Sequence, residues 1–216
     1  GNIFGVFQFV AEAAKHEGVN PIVGCEFYVV TDRHRRTFTK EDKDKRYHQL
    51  FLAKNAEGYK NLVKLCSLGY IQGLYGKYPR IDKELIMQYH EGLIATSCCI
   101  GAMVPQAILK EDEDKARKEF EWWLDLFGED YYIEIQRHHM AEQDRVNEVL
   151  LRWAEEYKVK VICTNDSHYV DQKDANAHDI LLCVNTGEKQ ATPAIREFVE
   201  EGTVMKGGRF AFWNDQ

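Results

Sequence analysis

The stretch "VKVICTNDSHYV", residues 159–170, runs apolar and then breaks into Asn165, Asp166 and His168. Val159, Val161 and Cys163 alternate to one side with Ile162 on the other, which reads as a strand covered on both faces. The polar residues then fall at its C-terminal end. In a parallel α/β sheet or barrel that end is where loops converge and where the strand fixes side-chain direction. Asp166 and His168, two apart, point the same way. On this segment alone, a loop with a capping Asp and a surface His reads equally well, so the rest of the chain has to decide.

The chain has 216 residues, 29% of them charged and 44% hydrophobic, enough for one sizeable core and typical of a soluble globular protein. No apolar run approaches the roughly 18 residues of a membrane span. The N-terminus lacks the succession of a signal peptide. The six cysteines, Cys25, Cys66, Cys98, Cys99, Cys163 and Cys183, lie mostly inside apolar segments, as reduced core thiols do. A cytoplasmic location is the inference. The net charge of −7 argues against a broad nucleic-acid-binding face, which needs clustered Lys and Arg, but leaves room for a small acidic pocket that holds cations.

Strand and helix patterns then take turns. "FGVFQFVAEAAKHEG" places Phe7, Val10, Ala11 and Ala14 on one helical face and stops at Gly18. "NPIVGCEFYVV" is a strand, 31–46 a mixed-charge solvated excursion, "YHQLFLA" a strand and "AEGYKNLVKLCSLGYIQG" a helix. "RIDKELIMQYHEG" has Asp82 as N-cap and Gly92 as stop. "GLIATSCCIG" is a strand and turn, and "DEDKARKEFEWWLDLFG" a helix with a stripe through Phe120, Trp123, Leu124 and Phe127. The strand "YYIEIQ", the helix "EQDRVNEVLLRWAEEYK", the opening strand and the helix "DQKDANAHDILLCVNTG" complete the alternation. The succession predicts parallel strands with crossover helices, hence one α/β layer structure or barrel. After about residue 186 periodicity lapses, so 1–185 is expected to form the domain and 186–216 an irregular arm leading out of it. From the abrupt ends, "GNIFG" and "NDQ", a piece of something longer is the expectation.

Seen across the strands, Asp166 and His168 have company. Glu26 lies in one strand segment and His48 in the next; Cys98-Cys99 follow "GLIATS", and Arg137, His138 and His139 follow "YYIEIQ". Such residues gathered on one rim form a mixed O/N/S donor set suited to Zn²⁺, Mn²⁺ or Fe²⁺. Each member has a plainer reading. Glu26 in an apolar strand calls for a partner cation of some kind, His48 also suits a hydrogen-bonded core histidine, and Cys99 alone suits a small buried hydrophobe. Cys98 and Cys99 are too close for an unstrained disulfide. One of His138 and His139 faces the site and the other solvent. His16, His34, His90 and His178 read as surface residues, and Phe120, Trp122 and Trp123 as core or interface.

The chain resembles a known family. "GNIFGVFQFV", "NPIVGCEFYVV", "FLAKNAEGYKNL", "YGKYPRID", "EGLIATSCCIGAMVPQAIL", "RVNEVLLRWAEEY", "TNDSHYV" and "AHDILLCVNTG" are similar, in one order over nearly the whole chain, to the N-terminal polymerase-and-histidinol-phosphatase (PHP) domains of bacterial replicative DNA polymerase III alpha subunits. The resemblance implies a distorted seven-stranded β/α, TIM-like barrel holding up to three divalent metals (Zn²⁺, Mn²⁺ or Mg²⁺). The activity it implies is phosphoesterase or 3′-5′ exonuclease chemistry. Carried over position by position, it makes Glu26, His48, Cys99, His138, Asp166 and His168 metal ligands, with Glu26 and Asp166 the carboxylates nearest the chemistry. Its two earlier motifs, a His-x-His and an Asp-His-Gly, would precede Gly1-Asn2. The expectation is therefore a barrel short of its first strands, with partial metal occupancy and no appreciable activity as an isolated piece.

In the parent protein, the family implies DNA-directed DNA polymerase activity in other domains, with DNA and replisome subunits as partners and no membrane association. Two other readings stand beside the enzyme: an inactive module that braces the polymerase, and a free-standing metallohydrolase of the amidohydrolase kind. The second would lack the "AKNAEGYKNL" helix.

Overall fold

The computed structural model describes residues 2–110, 112–138, 140–187 and 189–190. His139 and the expected arm beyond residue 190 lie outside the described residues. The described residues divide into two compact units, 2–135 with 144–163, and 136–143 with 164–190.

The described residues form six strands, β1 (Gly24–Val29), β2 (Tyr47–Ala53), β3 (Arg80–Ile81), β4 (Leu93–Thr96), β5 (Tyr131–Ile135) and β6 (Val161–Cys163). Seven helices accompany them: α1 (Val6–Ala13), α2 (Ala56–Gly73), α3 (Lys83–Tyr89), α4 (Met103–Lys110), α5 (Glu113–Phe127), α6 (Ala141–Tyr157) and α7 (Ala175–Thr186). The sheet order is β3-β1-β2-β4-β5-β6. This is a mixed α/β fold, and the sheet is mixed too. β1 pairs parallel with β3, β4 with β5 and β5 with β6, but β2 runs antiparallel between β1 and β4. The all-parallel expectation fails at β2 because no crossover helix separates it from β1, so nothing carries the chain back to restart in the same direction. The N-terminal end of β2 therefore shares a rim with the C-terminal ends of β1 and β4.

Helix α2 shows why its sequence reads as it does. Asn55 caps it by accepting from the Gly58 amide at 2.9 Å. Its buried face, Gly58, Leu62, Leu65, Cys66, Gly69 and Gly73, mixes large and small residues at helical spacing. A Cβ on Gly58 would stand 1.7 Å from the Gly92 carbonyl oxygen, and one on Gly73 equally close to that of Arg80. The helix thus lies backbone against backbone on the turn before β4 and on β3. Helix α5, capped by Asp112, which accepts from the Lys115 amide at 2.9 Å, buries Ala116, Phe120, Trp123 and Phe127 as the stripe predicts. The Phe120 ring lies 5.1 Å from that of Trp153 on α6, and Phe51 of β2 stacks on Phe127 at 5.7 Å. Each such aromatic contributes on the order of 1.5–3 kcal/mol through burial.

Four local expectations need correction. Val161 and Cys163 are exposed, because β6 is the outermost strand described and pairs only with β5. On α1 it is Ala13 that is buried, while Phe7 is 80% exposed and Val10 also faces solvent. His178, read as a surface residue, is buried. The excursion 31–46 is anchored rather than merely solvated. Arg80, wholly buried, donates through Nε to Gly73 O and through Nη2 to Arg35 O, both at 2.8 Å, and pairs through Nη1 with Asp44 at 2.8 Å. Buried Arg33 pairs with Asp82 at 2.8 Å and with Glu84 at 2.9 Å, so Asp82 caps α3 and holds the excursion together. Sequence reading did not assign α4 or β3. No described helix is long and apolar enough to cross a membrane.

Candidate metal centre

Along β1 the side chains alternate, so Cys25, Phe27 and Val29 enter the core while Glu26 and Tyr28 take the other face. Tyr28 is directly opposite His48 in the antiparallel register, and Glu26 opposite Leu50, so Glu26 and His48 are diagonal neighbours on one face. The turn after β4 brings the third member. Cys98 adopts a left-handed φ of 58°, which swings Cys99 toward β2, and the His48 amide donates to Gly101 O at 3.0 Å. A Cβ on Gly101 would lie 3.2 Å from His48 Nδ1, so the absence of a side chain there lets the turn close over the imidazole.

His48 Nδ1 stands 2.7 Å from Glu26 Oε1 and 3.4 Å from Cys99 Sγ. One ligand atom from each of Glu26, His48 and Cys99 lies within 4.8 Å of the others, the one group of this kind among the described residues. Charge distribution follows from that packing. Hydrogen bonds to Cys99 and then Glu26 raise the His48 pKa to about 10. Hydrogen bonds from Cys98 and, against burial, from His48 lower the Cys99 thiol to about 6. At neutral pH an imidazolium proton is held between a carboxylate and a thiolate. The position between two anionic donors is one that calls for positive charge, and carboxylate, imidazole and thiolate together fit a divalent cation of the Zn²⁺ type. The partner cation expected for Glu26 is thus His48 itself; Glu26 is 43% exposed, so its burial is not the driving cost.

Sequence reading missed the support beneath Cys99. Thr96, fully buried, donates to Glu134 Oε2 at 2.6 Å and accepts from the Cys98 amide at 3.0 Å. The Glu134 amide in turn donates to Ser97 Oγ at 2.9 Å. The signal was present: Glu134 is a carboxylate in the middle of the apolar strand "YYIEI".

The remaining residues expected in the site belong to the second unit. His138 is buried and its Nε2 lies 3.1 Å from Gln136 Oε1, while Gln136 Nε2 donates to Thr164 Oγ1 at 3.2 Å. Asp166 has a left-handed φ of 51°, and its carbonyl accepts from His168 Nδ1 at 2.6 Å, which fixes the proton of that ring on Nδ1. The His168 ring is 5.7 Å from that of buried His178.

The chain is 44% identical over 194 residues to DNA polymerase III subunit alpha of Borreliella burgdorferi, covering 88% of the chain and 16% of that protein. It is 42% identical to the subunits of the same name from Deinococcus radiodurans and Thermus aquaticus, covering 86% of the chain in each case. The chain spans only 14–16% of the length of these relatives. The family model described as "PHP domain" matches residues 1–138, which carry the Glu26, His48 and Cys99 triad, the Thr96 and Glu134 support and five of the six described strands, β1 to β5. With the match covering well over half of its residues, the chain belongs to the PHP-domain family.

Proposed function

We propose that this chain is the PHP module of a replicative DNA polymerase alpha subunit and that its metal centre is of the phosphate-ester-hydrolysing type. The observation that carries the reading is the convergence of Glu26, His48 and Cys99 from three chain segments on one face. The six strands described fit a distorted seven-stranded barrel of this family. Polymerisation, contacts with DNA and other replisome subunits, and a cytoplasmic setting go with the longer relatives and form part of the proposal.

Bound divalent cations neutralise a phosphodiester and bring the pKa of water toward neutrality. Glu26, His48 and Cys99 would hold a cation, and the family resemblance proposes His138, Asp166 and His168 as further ligands. For His48 to ligate through Nδ1, it must first release the proton it shares with Glu26. Cys99, already inclined to the thiolate, tilts selection toward Zn²⁺ over Mg²⁺. The Asp166 carbonyl fixes the His168 tautomer.

The test compares metal content and hydrolysis of a chromogenic phosphodiester in the chain alone and in the chain extended N-terminally with the matching segment of a relative. Metal bound through Cys99, lost in Cys99→Ser, and turnover in the extended form are expected. Metal binding without turnover in either form would favour the bracing module instead. No metal uptake in either would overturn the proposal.

A further inference from the structure

The excursion 31–46 holds seven Lys or Arg against four Asp or Glu, in a chain whose net charge is −7. It ends at Arg46, two residues before His48, and the side chains from there to the triad form one continuous run. Tyr28, paired across the strands with His48, has its ring 5.4 Å from the imidazole. Tyr78 meets Tyr28 edge-on at 5.4 Å, and the Arg46 guanidinium lies 3.8 Å over Tyr78 and 5.9 Å from the Tyr28 ring centre. Tyr78 is itself fixed by two backbone hydrogen bonds to Tyr75, each 3.0 Å. Lys77 approaches the same ring at 5.6 Å.

Arg46 pairs with Asp44 at 2.7 Å, but that carboxylate is also the partner of wholly buried Arg80 at 2.8 Å. One carboxylate between two guanidiniums leaves a net positive charge. Arg80 is enclosed, so the excess is presented at partly exposed Arg46. A planar, weakly hydrated guanidinium held over an aromatic ring suits a phosphate oxygen and a stacked base.

We propose that Arg46, on its Tyr78 and Tyr28 platform, is the subsite that holds a second phosphate of a nucleic-acid strand, next to the one that meets the triad. The inference deepens the phosphoesterase reading and rests on it for the register. Its test does not depend on turnover. Binding of a fluorescent single-stranded oligothymidylate to the chain in EDTA is followed by anisotropy across a salt series. Each phosphate contact on a single strand contributes about 0.7 to the slope of log K against log salt. Arg46→Gln and Arg46→Met are each expected to flatten the slope by about 0.7 and weaken binding several-fold at low salt, with Arg46→Lys restoring the slope. Lys43→Gln, at an exposed position of the same excursion, should leave the slope as it was. An unchanged slope in both Arg46 variants, an equal loss in Lys43→Gln, or no binding by the parent chain would each overturn the subsite. Failure of hydrolysis alone would bear on the phosphoesterase reading and leave this result standing.

Discussion

The Thr96 hydroxyl and the Glu134 carboxylate meet at 2.6 Å with both side chains out of solvent, and the same hydroxyl receives the Cys98 amide. That contact joins β4 to β5 immediately below the turn that delivers Cys99. Removing it should disturb metal binding before it disturbs the fold.

Thr96→Val is therefore expected to destabilise the chain by about 1–3 kcal/mol, since it removes one hydrogen bond to a buried carboxylate and one from a buried amide. Metal affinity should fall about 10–100-fold, as when outer partners of a metal ligand are removed. Urea denaturation and a competitive zinc titration check the two numbers separately. Unchanged affinity would show that the Cys99 turn is held by other contacts.

The His48 and Cys99 shifts define a pH window. His48, raised to about 10, stabilises the metal-free fold below its ordinary value near 6.5 and loses that contribution as pH rises through about 10. Cys99, lowered to about 6, contributes above its ordinary value near 9 and loses it as pH falls through about 6. The ion pair thus exists between about pH 6 and 10. Zinc binding at pH 7.5 should release a proton from His48, read by calorimetry in buffers of different ionisation enthalpy, and should strengthen with pH. Binding with no proton release would mean that His48 is not a ligand.

His138→Ala and Asp166→Asn are each expected to lower bound metal and thermal stability together, because metal binding to the folded state adds to its stability. Elemental analysis and melting temperatures are the measurements. Wild-type metal content in both variants would remove these two residues from the ligand set.

Gly58→Ala should destabilise the chain by about 1–3 kcal/mol, an overpacking cost, because the new Cβ would press on the Gly92 carbonyl oxygen at 1.7 Å. Equilibrium denaturation tests it. A neutral effect would show that α2 can move away from the turn before β4.

Arg80→Leu is expected to cost about 3 kcal/mol, the lower end for breaking a buried ion pair, since Asp44 keeps Arg46 as partner. Proteolysis within 31–46 should quicken alongside the loss measured in urea. Stability equal to wild type would make the excursion self-supporting.

Where local patterns dominate, the sequence told the structure well. Helix α2 runs over Ala56–Gly73, the limits its pattern predicts, because Asn55 caps it and its apolar spacing is unbroken. Asp82 and Asp112 cap their helices for the same local reason. The triad residues were legible as donor types near strand ends, and the structure gathers Glu26, His48 and Cys99. What local reading lacked was direction and partners. Nothing in "YHQLFLA" says that β2 runs against its neighbours. The apolar spacing of 159–163 cannot tell an inner strand from the outermost one, and so it overestimated the cover on Val161 and Cys163. Arg80 looks like any other arginine until Gly73, Asp44 and Arg35 are seen around it. The Thr96 and Glu134 contact joins residues 38 apart, beyond any helical or strand period.

The reversed direction of β2 also sets an order of assembly. β1 and β2 are consecutive in the chain and pair along six residues each, so Glu26 and His48 meet once the excursion between them closes, a step whose entropic cost grows only slowly with length. Cys99 lies 51 residues from His48 along the chain, with α2, α3 and β4 between them, so its contact is the more distant one to close. A chain collapsing from its N-terminal side therefore creates a carboxylate and imidazole pair before its thiolate partner arrives. Zinc present during refolding would meet a two-donor grip early, and the closing of the Cys98-Cys99 turn would be the event that converts capture into retention.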